Sequence, residues 1–303
     1  MSSLKRWFPA CCIMLFMLML PNVILAAPAS SPARSTTRPI QVNIDGAFIS
    51  ADRSPFILAG RTMIPIRTLA SLGLHYSWNG IRHTVTITNS SNDQFEMTQG
   101  QSIAYKNGVP VQMDSEANNY NGRLMVPAKF ISEAFGYSVY YEKIREIIFI
   151  QSKNFTPDAQ VIHSADLKQA RLAAISLPVR YSFKPGTSVQ SDQSQYFTYS
   201  FASKDATRYA YSNGEITTVV EITGTTATAV WQASEADIPG YPATTFGGVQ
   251  PAYISDLFQD SFSYNNGVYG SYHRLSDGTV TTAKFPGKHP GLTDADLIQA
   301  IPE

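Results

Sequence analysis

The chain has 303 residues, with 23 basic and 23 acidic side chains and a formal net charge of zero. Hydrophobic residues make up 44% and charged ones 15%, which excludes a disordered chain and leaves no global electrostatic footprint for nucleic acid. The length suits two domains of ordinary size, and both cysteines, Cys11 and Cys12, sit near the start, so the rest has no disulfide framework.

Lys5 and Arg6 precede an apolar run from Cys11 to Leu20, and "VILAAPAS" then offers Ala26, Ala27 and Ala29 as cleavage positions. This is the pattern of a secretory signal peptide over residues 1–29. The alternative is an N-terminal membrane anchor, but Ile13–Leu20 is short against the roughly 20 apolar residues of a bilayer span. A lipoprotein signal places its cysteine after the apolar run, whereas Cys11 and Cys12 open it. The expected location is secreted or at the cell surface, with no membrane span after signal removal. An exported chain without cysteines in its mature part has the composition of a Gram-positive bacterial product. Residues 30–39 are Pro/Ser/Thr-rich and expected to be a mobile segment, with ordered structure from about Ile40.

An internal repeat follows. "GRTMIPIR" at Gly60–Arg67 returns as "GRLMVPAK" at Gly122–Lys129, so that Gly60, Arg61, Met63 and Pro65 match Gly122, Arg123, Met125 and Pro127 at an offset of 62. Asp45-Gly46 matches Asn107-Gly108 at the same offset. One residue further on, Gly73 matches Gly136, Trp78 matches Tyr141, Arg82 matches Arg145, and Val85 and Ile87 match Ile148 and Ile150.

Each unit reads as strand, strand, helix, strand, strand. The Asp-Gly and Asn-Gly pairs are hairpin turns between alternating runs. The octapeptide is the corner from strand to helix, with Pro65 or Pro127 at the first helical position. Gly73 or Gly136 takes the left-handed position after the helix. Leu69 and Leu72, or Phe130, Ile131, Ala134 and Phe135, form the buried stripe, and the closing hairpins turn Val85 and Ile87, or Ile148 and Ile150, toward it. Arg61 and Arg123 either bond loop carbonyls or bind a ligand, and their place beside a turn glycine favours the carbonyls. A unit of about 50 residues buries too little surface to fold alone. The two copies are therefore expected to share one core through Leu69, Leu72, Val85, Ile131, Phe135 and Ile148.

This combination of an NG hairpin, "GR-x-M-[IV]-P-x-[RK]", a short helix ending in glycine and "T-V-x-I" resembles the copper amine oxidase-like N-terminal domain family. The resemblance covers about residues 40–151 and implies a stalk-like module of exported Gram-positive bacterial proteins. The first helix is one residue shorter than the second and lacks a counterpart of Glu133, and Ala128-Lys129 stands where the family usually has Leu-Arg. In copper amine oxidases this module is a non-catalytic appendage. Their oxidase domain needs three copper-binding histidines and a tyrosine within Asn-Tyr-Asp/Glu. The histidines here are His75, His83, His163, His273 and His289, with no His-x-His pair, and Tyr120 is followed by Asn121. Neither copper nor another cofactor is expected.

The second half changes character. "SADLKQARLAAIS" reads as a connecting helix with Ser164 as its N-cap, within a linker spanning 154–186. Residues 28–154 hold 12 basic and 9 acidic side chains, and residues 155–303 hold 9 and 14. From 187 to 303 the chain is rich in Tyr, Thr and Val, with turns at Asn213-Gly214 and Asp277-Gly278, a Pro/Gly-rich loop in "SEADIPGYPATTFGGVQPAY", and a terminal helix capped by Thr293. The fold class expected is α+β: a duplicated β-β-α-β-β module at 40–153, then a β-rich domain.

No G-x-S-x-G, H-E-x-x-H or Walker A sequence occurs in this half. Asp256 and Asp260 are placed to share a helix face, and Glu235 and Asp237 a strand face, but coincidental pairs are expected among 14 acids. Tyr253, Phe258, Phe262, Tyr264, Tyr269 and Tyr272 are either an aromatic sugar platform or packed core, and core is the favoured reading. No catalytic residue is assigned. The function expected is a non-catalytic stalk or interaction protein of the cell envelope, with cell-wall polysaccharide or another envelope protein as partner. The rival is a secreted hydrolase of envelope polysaccharide carrying the repeats as an accessory domain.

Overall fold

A computed structural model describes residues 38–186, 196–234, 244–265, 269–284 and 293–300. Residues 1–37, where a signal peptide and a Pro/Ser/Thr-rich stretch are expected, and Glu235, Asp237 and His289 lie outside the described residues.

Asp45 and Gly46 both take positive φ, 46° and 81°, and reverse the chain between β1 (Gln41–Ile44) and β2 (Ala47–Ile49). That is the twist a two-residue hairpin requires. A second hairpin follows, β3 (Phe56–Leu58) and β4 (Arg61–Pro65), turning at Ala59-Gly60. A short 3-10 helix, Ile66–Leu72, leads to β5 (His75–Asn79), β6 (Thr84–Thr88) and β7 (Gln94–Thr98). The pattern then returns as β8 (Ile103–Lys106), β9 (Val109–Gln112), β10 (Asn118–Tyr120), β11 (Arg123–Pro127), helix α1 (Ala128–Ala134), β12 (Ser138–Glu142) and β13 (Ile147–Gln151).

Two details differ from the sequence reading. An extra hairpin precedes each helical turn, because Gly60 and Gly122 are themselves hairpin glycines, with φ 77° and 79°. The prolines end their strands instead of opening a helix: Pro65 (φ −59°, ψ 134°) and Pro127 (φ −69°, ψ 110°) are extended and stand at the cap position.

The three sheets of this part interleave early and late segments. Their orders are β12-β13-β1-β2, β10-β11-β4-β3 and β5-β6-β7-β8-β9. β1 runs parallel to β13, with Gln41 opposite Ile147. β4 and β11 are antiparallel and centred on Ile64 opposite Val126, with Met63 against Pro127 and Pro65 against Met125. One buried cluster holds Leu69, Leu72, Val85, Ile131 and Ile148 together with Ile64 and Val126, and Phe135 packs half-buried on its rim.

Beyond β13 come α2 (Ala159–Ile162), α3 (Leu167–Ile175) and β14 (Val179–Tyr181). The α3 cap is Asp166, whose carboxylate accepts from Gln169 N–H, while Ser164 bonds the Asp166 carbonyl. Then follow β15 (Tyr196–Phe201), β16 (Arg208–Ser212), β17 (Ile216–Thr223), β18 (Thr226–Ser234), β19 (Thr245–Gly248), β20 (Asp260–Asn265), β21 (Tyr269–Arg274), β22 (Thr279–Lys284) and α4 (Asp294–Ala300). The strands from β14 on form one sheet, ordered β14-β18-β17-β16-β15-β20-β21-β22 with β19 also on β18. Only the β14–β18 pair in it is parallel.

Alternation sorts this sheet's faces. Tyr199, Phe201, Tyr209, Tyr211, Phe262 and Tyr272 face a core closed by Leu172 and Ile175 of α3 and Leu297 and Ile298 of α4. Ala210, Val219, Trp231 and Ala233 face the other way, onto Leu257. The protein is thus strand-rich, with antiparallel sheets predominating and few short helices. No helix among the described residues is long and apolar enough to cross a membrane.

Candidate functional site

The repeated octapeptides meet at the β4–β11 ladder. Met63 and Met125 are fully buried in the corner, and the Ser115 hydroxyl donates to the Met63 sulfur at 3.8 Å. Gly73 and Gly136 follow the two helical turns with φ 71° and 85°, where a side chain would be strained. The arginines do not act as expected. Arg61 Nε pairs with the Asp114 carboxylate, and Arg123 Nε with Asp52 at 2.5 Å. Arg123 adds only one carbonyl bond, from Nη1 to Gly122 at 3.2 Å. Asp52 and Asp114 are themselves 62 positions apart, so the sequence carries these partners at the repeat offset of the arginines.

Beside this ladder lies a cleft of about 280 Å³. Its walls are Pro65, Ile66 and Arg67, then Tyr76 and Trp78 of β5 with Val85 beneath, and Asn119 and Gly122–Leu124. Tyr76 and Trp78 lie opposite Ile87 and Val85, on the inner face of an edge strand, yet stay 37% and 46% exposed.

Where the first part packs on the second, ionisable groups from both are used internally. Arg145, fully buried, bonds both Glu142 oxygens and donates to the carbonyls of Ile175 at 2.7 Å and Leu177 at 2.9 Å. Burial works against its charge, but Glu142 outweighs it, and the guanidinium ends well above its ordinary value. Tyr211 donates to Glu142 at 3.1 Å and shares a hydrogen bond with Tyr181. Asp294 at the start of α4 accepts from Gln41 at 2.9 Å and from Tyr199, and pairs with Arg38.

The acid pairs do not assemble. Asp256 lies in a 3-10 turn (Ile254–Phe258), whereas Asp260 opens β20 and is buried against Arg171 at 2.5 Å and Tyr272 at 2.7 Å. No helix face joins them. The aromatic platform does not assemble either: Phe262 and Tyr272 are in the core, Tyr253 hydrogen-bonds Glu221, and Phe258 is exposed on the 3-10 turn. His75, His83, His163 and His273 are exposed on separate segments. Among the described residues no three of His, Cys, Asp and Glu are placed to hold a metal ion. Tyr120 sits edge-on to Phe56 at 4.9 Å. These side chains do not fit a copper and quinone centre.

Strand hairpins cornered by Gly, Arg, Met and Pro define the class of the first part. Residues 43–150 match the family described as the copper amine oxidase N-terminal domain. No curated protein matches the chain.

Proposed function

We propose that this is a non-catalytic, exported protein of the cell envelope. In this reading a duplicated module of the copper amine oxidase N-terminal type occupies residues 40–153 and holds the second, strand-rich part in a fixed pose. The observation that carries it is the reciprocal pairing of Arg61 with Asp114 and Arg123 with Asp52. Arg61 and Arg123 of the motif thereby join one copy to the other. The family match supports an accessory, stalk-type role. Signal-like residues 1–29 support export. The test is fractionation of cells producing the tagged full chain, with N-terminal sequencing. Export with cleavage near Ala26–Ala29 is expected, together with no peroxide release from primary amines in the presence of copper. Full-length chain kept in the cytosol, or amine-dependent peroxide, would sink the proposal.

A further inference from the structure

We propose that the cleft beside β5 is a binding site for an acidic glycan. This deepens the envelope reading above by giving the first part a ligand class. Tyr76 and Trp78 are two residues apart on one strand, so their rings stand on the same side. Large aromatics at a sheet edge offer flat apolar faces with polar tips, the surface on which pyranose rings stack. The cleft volume of about 280 Å³ lies at the small end for ligand sites and suits a short oligosaccharide segment.

The polar groups set the charge of the ligand. Among the described residues Asp52 alone serves both Arg67, at 3.3 Å, and Arg123, at 2.5 Å. Two guanidiniums against one carboxylate leave an excess positive charge, and Arg67 remains 60% exposed. A carboxylate on the ligand completes that pairing, and Arg is suited to it by its planar fork of donors. Asn119 points the same way. Its side-chain oxygen already accepts from Gly122 N–H at 2.9 Å, so it offers a ligand its NH2 donors.

The second copy provides an internal comparison. Tyr76 and Trp78 correspond there to Val139 and Tyr141, which pack against the core, and Tyr141 donates to Glu146. Arg67 corresponds to Lys129, which pairs with Glu133 at 3.9 Å. The aromatic and cationic groups are thus presented at one of two equivalent places. General core packing has no need of that difference, and a ligand site accounts for it.

The test is titration of the purified full chain, followed by Trp fluorescence and calorimetry. Of the three tryptophans, Trp231 is buried and Trp7 belongs to the signal-like segment, so Trp78 reports on the cleft. Four hexamer-length probes are used: oligogalacturonate, a peptide-free glycan strand carrying lactyl carboxylates, neutral cello-oligosaccharide, and oligoglutamate. The first two distinguish a uronate from a lactyl acid as the source of the carboxylate. Saturable binding of at least one acidic glycan is expected, tighter than the neutral sugar or oligoglutamate. Trp78→Ala and Tyr76→Ala should each weaken it by about tenfold or more, while Trp78→Phe, which keeps a ring, should retain most of it. Arg67→Ala should reduce affinity for the acidic glycan several-fold and leave the neutral one unaffected. Absence of saturation with both acidic glycans, unchanged calorimetric binding in the Ala variants, or equal binding of oligoglutamate would overturn the proposal. Export and cleavage are read separately, so loss of the glycan site leaves the envelope reading standing.

Discussion

Arg123 donates from Nε to the Asp52 carboxylate at 2.5 Å across 71 residues of sequence, and Arg61 makes the same contact with Asp114. The two pairs flank a ladder in which Ile64 lies opposite Val126, its own counterpart at the repeat offset. Two strands that pair about matching residues are related by a local two-fold axis, and the ion pairs fall on either side of it.

Both pairs are solvent-accessible, so each should contribute modestly. A double-mutant cycle on Arg123→Ala and Asp52→Ala should give a coupling of about 0.2–1 kcal/mol, shrinking as salt is added. The cycle on Arg61 and Asp114 should agree with it. A coupling several times larger, or one indifferent to salt, would contradict an exposed pair.

Gly136 has φ 85°, and a Cβ built there meets nothing within 4 Å. The cost of Gly136→Val is therefore backbone strain alone, about 1–2 kcal/mol, whereas Gly136→Asn should recover part of it. Urea melts of the three proteins check this ordering. A Val variant as stable as the parent would mean that the chain leaves α1 by another route.

Arg145 is the opposite case. Its head group has no water to fall back on, and Arg145→Met leaves Glu142 and the Ile175 and Leu177 carbonyls short of a donor. Removing one member of a buried pair costs about 3–5 kcal/mol. Denaturation followed by Trp231 fluorescence should show the midpoint falling accordingly. A loss under 1 kcal/mol would contradict a buried, uncompensated Glu142.

Alkaline pH should unfold the second part abruptly. Burial raises the phenols of Tyr181, Tyr199, Tyr209 and Tyr211, and the Glu142 charge adds to the effect. Burial and the Asp260 hydrogen bond push Tyr272 up to about 12. An unfolded phenol ionises near pH 10, so above that the unfolded chain releases protons that the folded chain retains. The stabilisation is complete below about pH 10 and is lost as pH climbs toward the folded values. Phenolate absorbance should therefore rise in one step with the loss of near-UV circular dichroism. Gradual ionisation with an unchanged dichroism signal would refute it.

Strand content and the Asp45-Gly46 and Asn107-Gly108 hairpins were legible because turn chemistry is local. So was Thr293 as the cap of α4, to which the structure adds Asp296, each bonding the other's backbone N–H. The pairing of β1 with β13 was not, since nothing local selects a partner so far away. Buried Arg145 and Arg171 were also missed, because charged residues read as surface until their carboxylates are located. The cleft escaped for a similar reason. It is assembled from residues 65–85 and 119–124, and neither segment alone marks a site.

The parallel β1–β13 pair also sets the order in which the chain can finish itself. Gln41 lies opposite Ile147, 106 positions on, and its side chain waits for Asp294, 253 positions on. The first of the described strands to be made is thus among the last to be completed. Closing such long loops costs entropy before any contact repays it, which slows folding. Until then β1 presents an open edge of unpaired backbone groups, the kind of segment that sticks to other chains. A nascent or refolding molecule is therefore most exposed to error at its beginning, and a chaperone that shields Gln41–Ile44 would act where delay is longest.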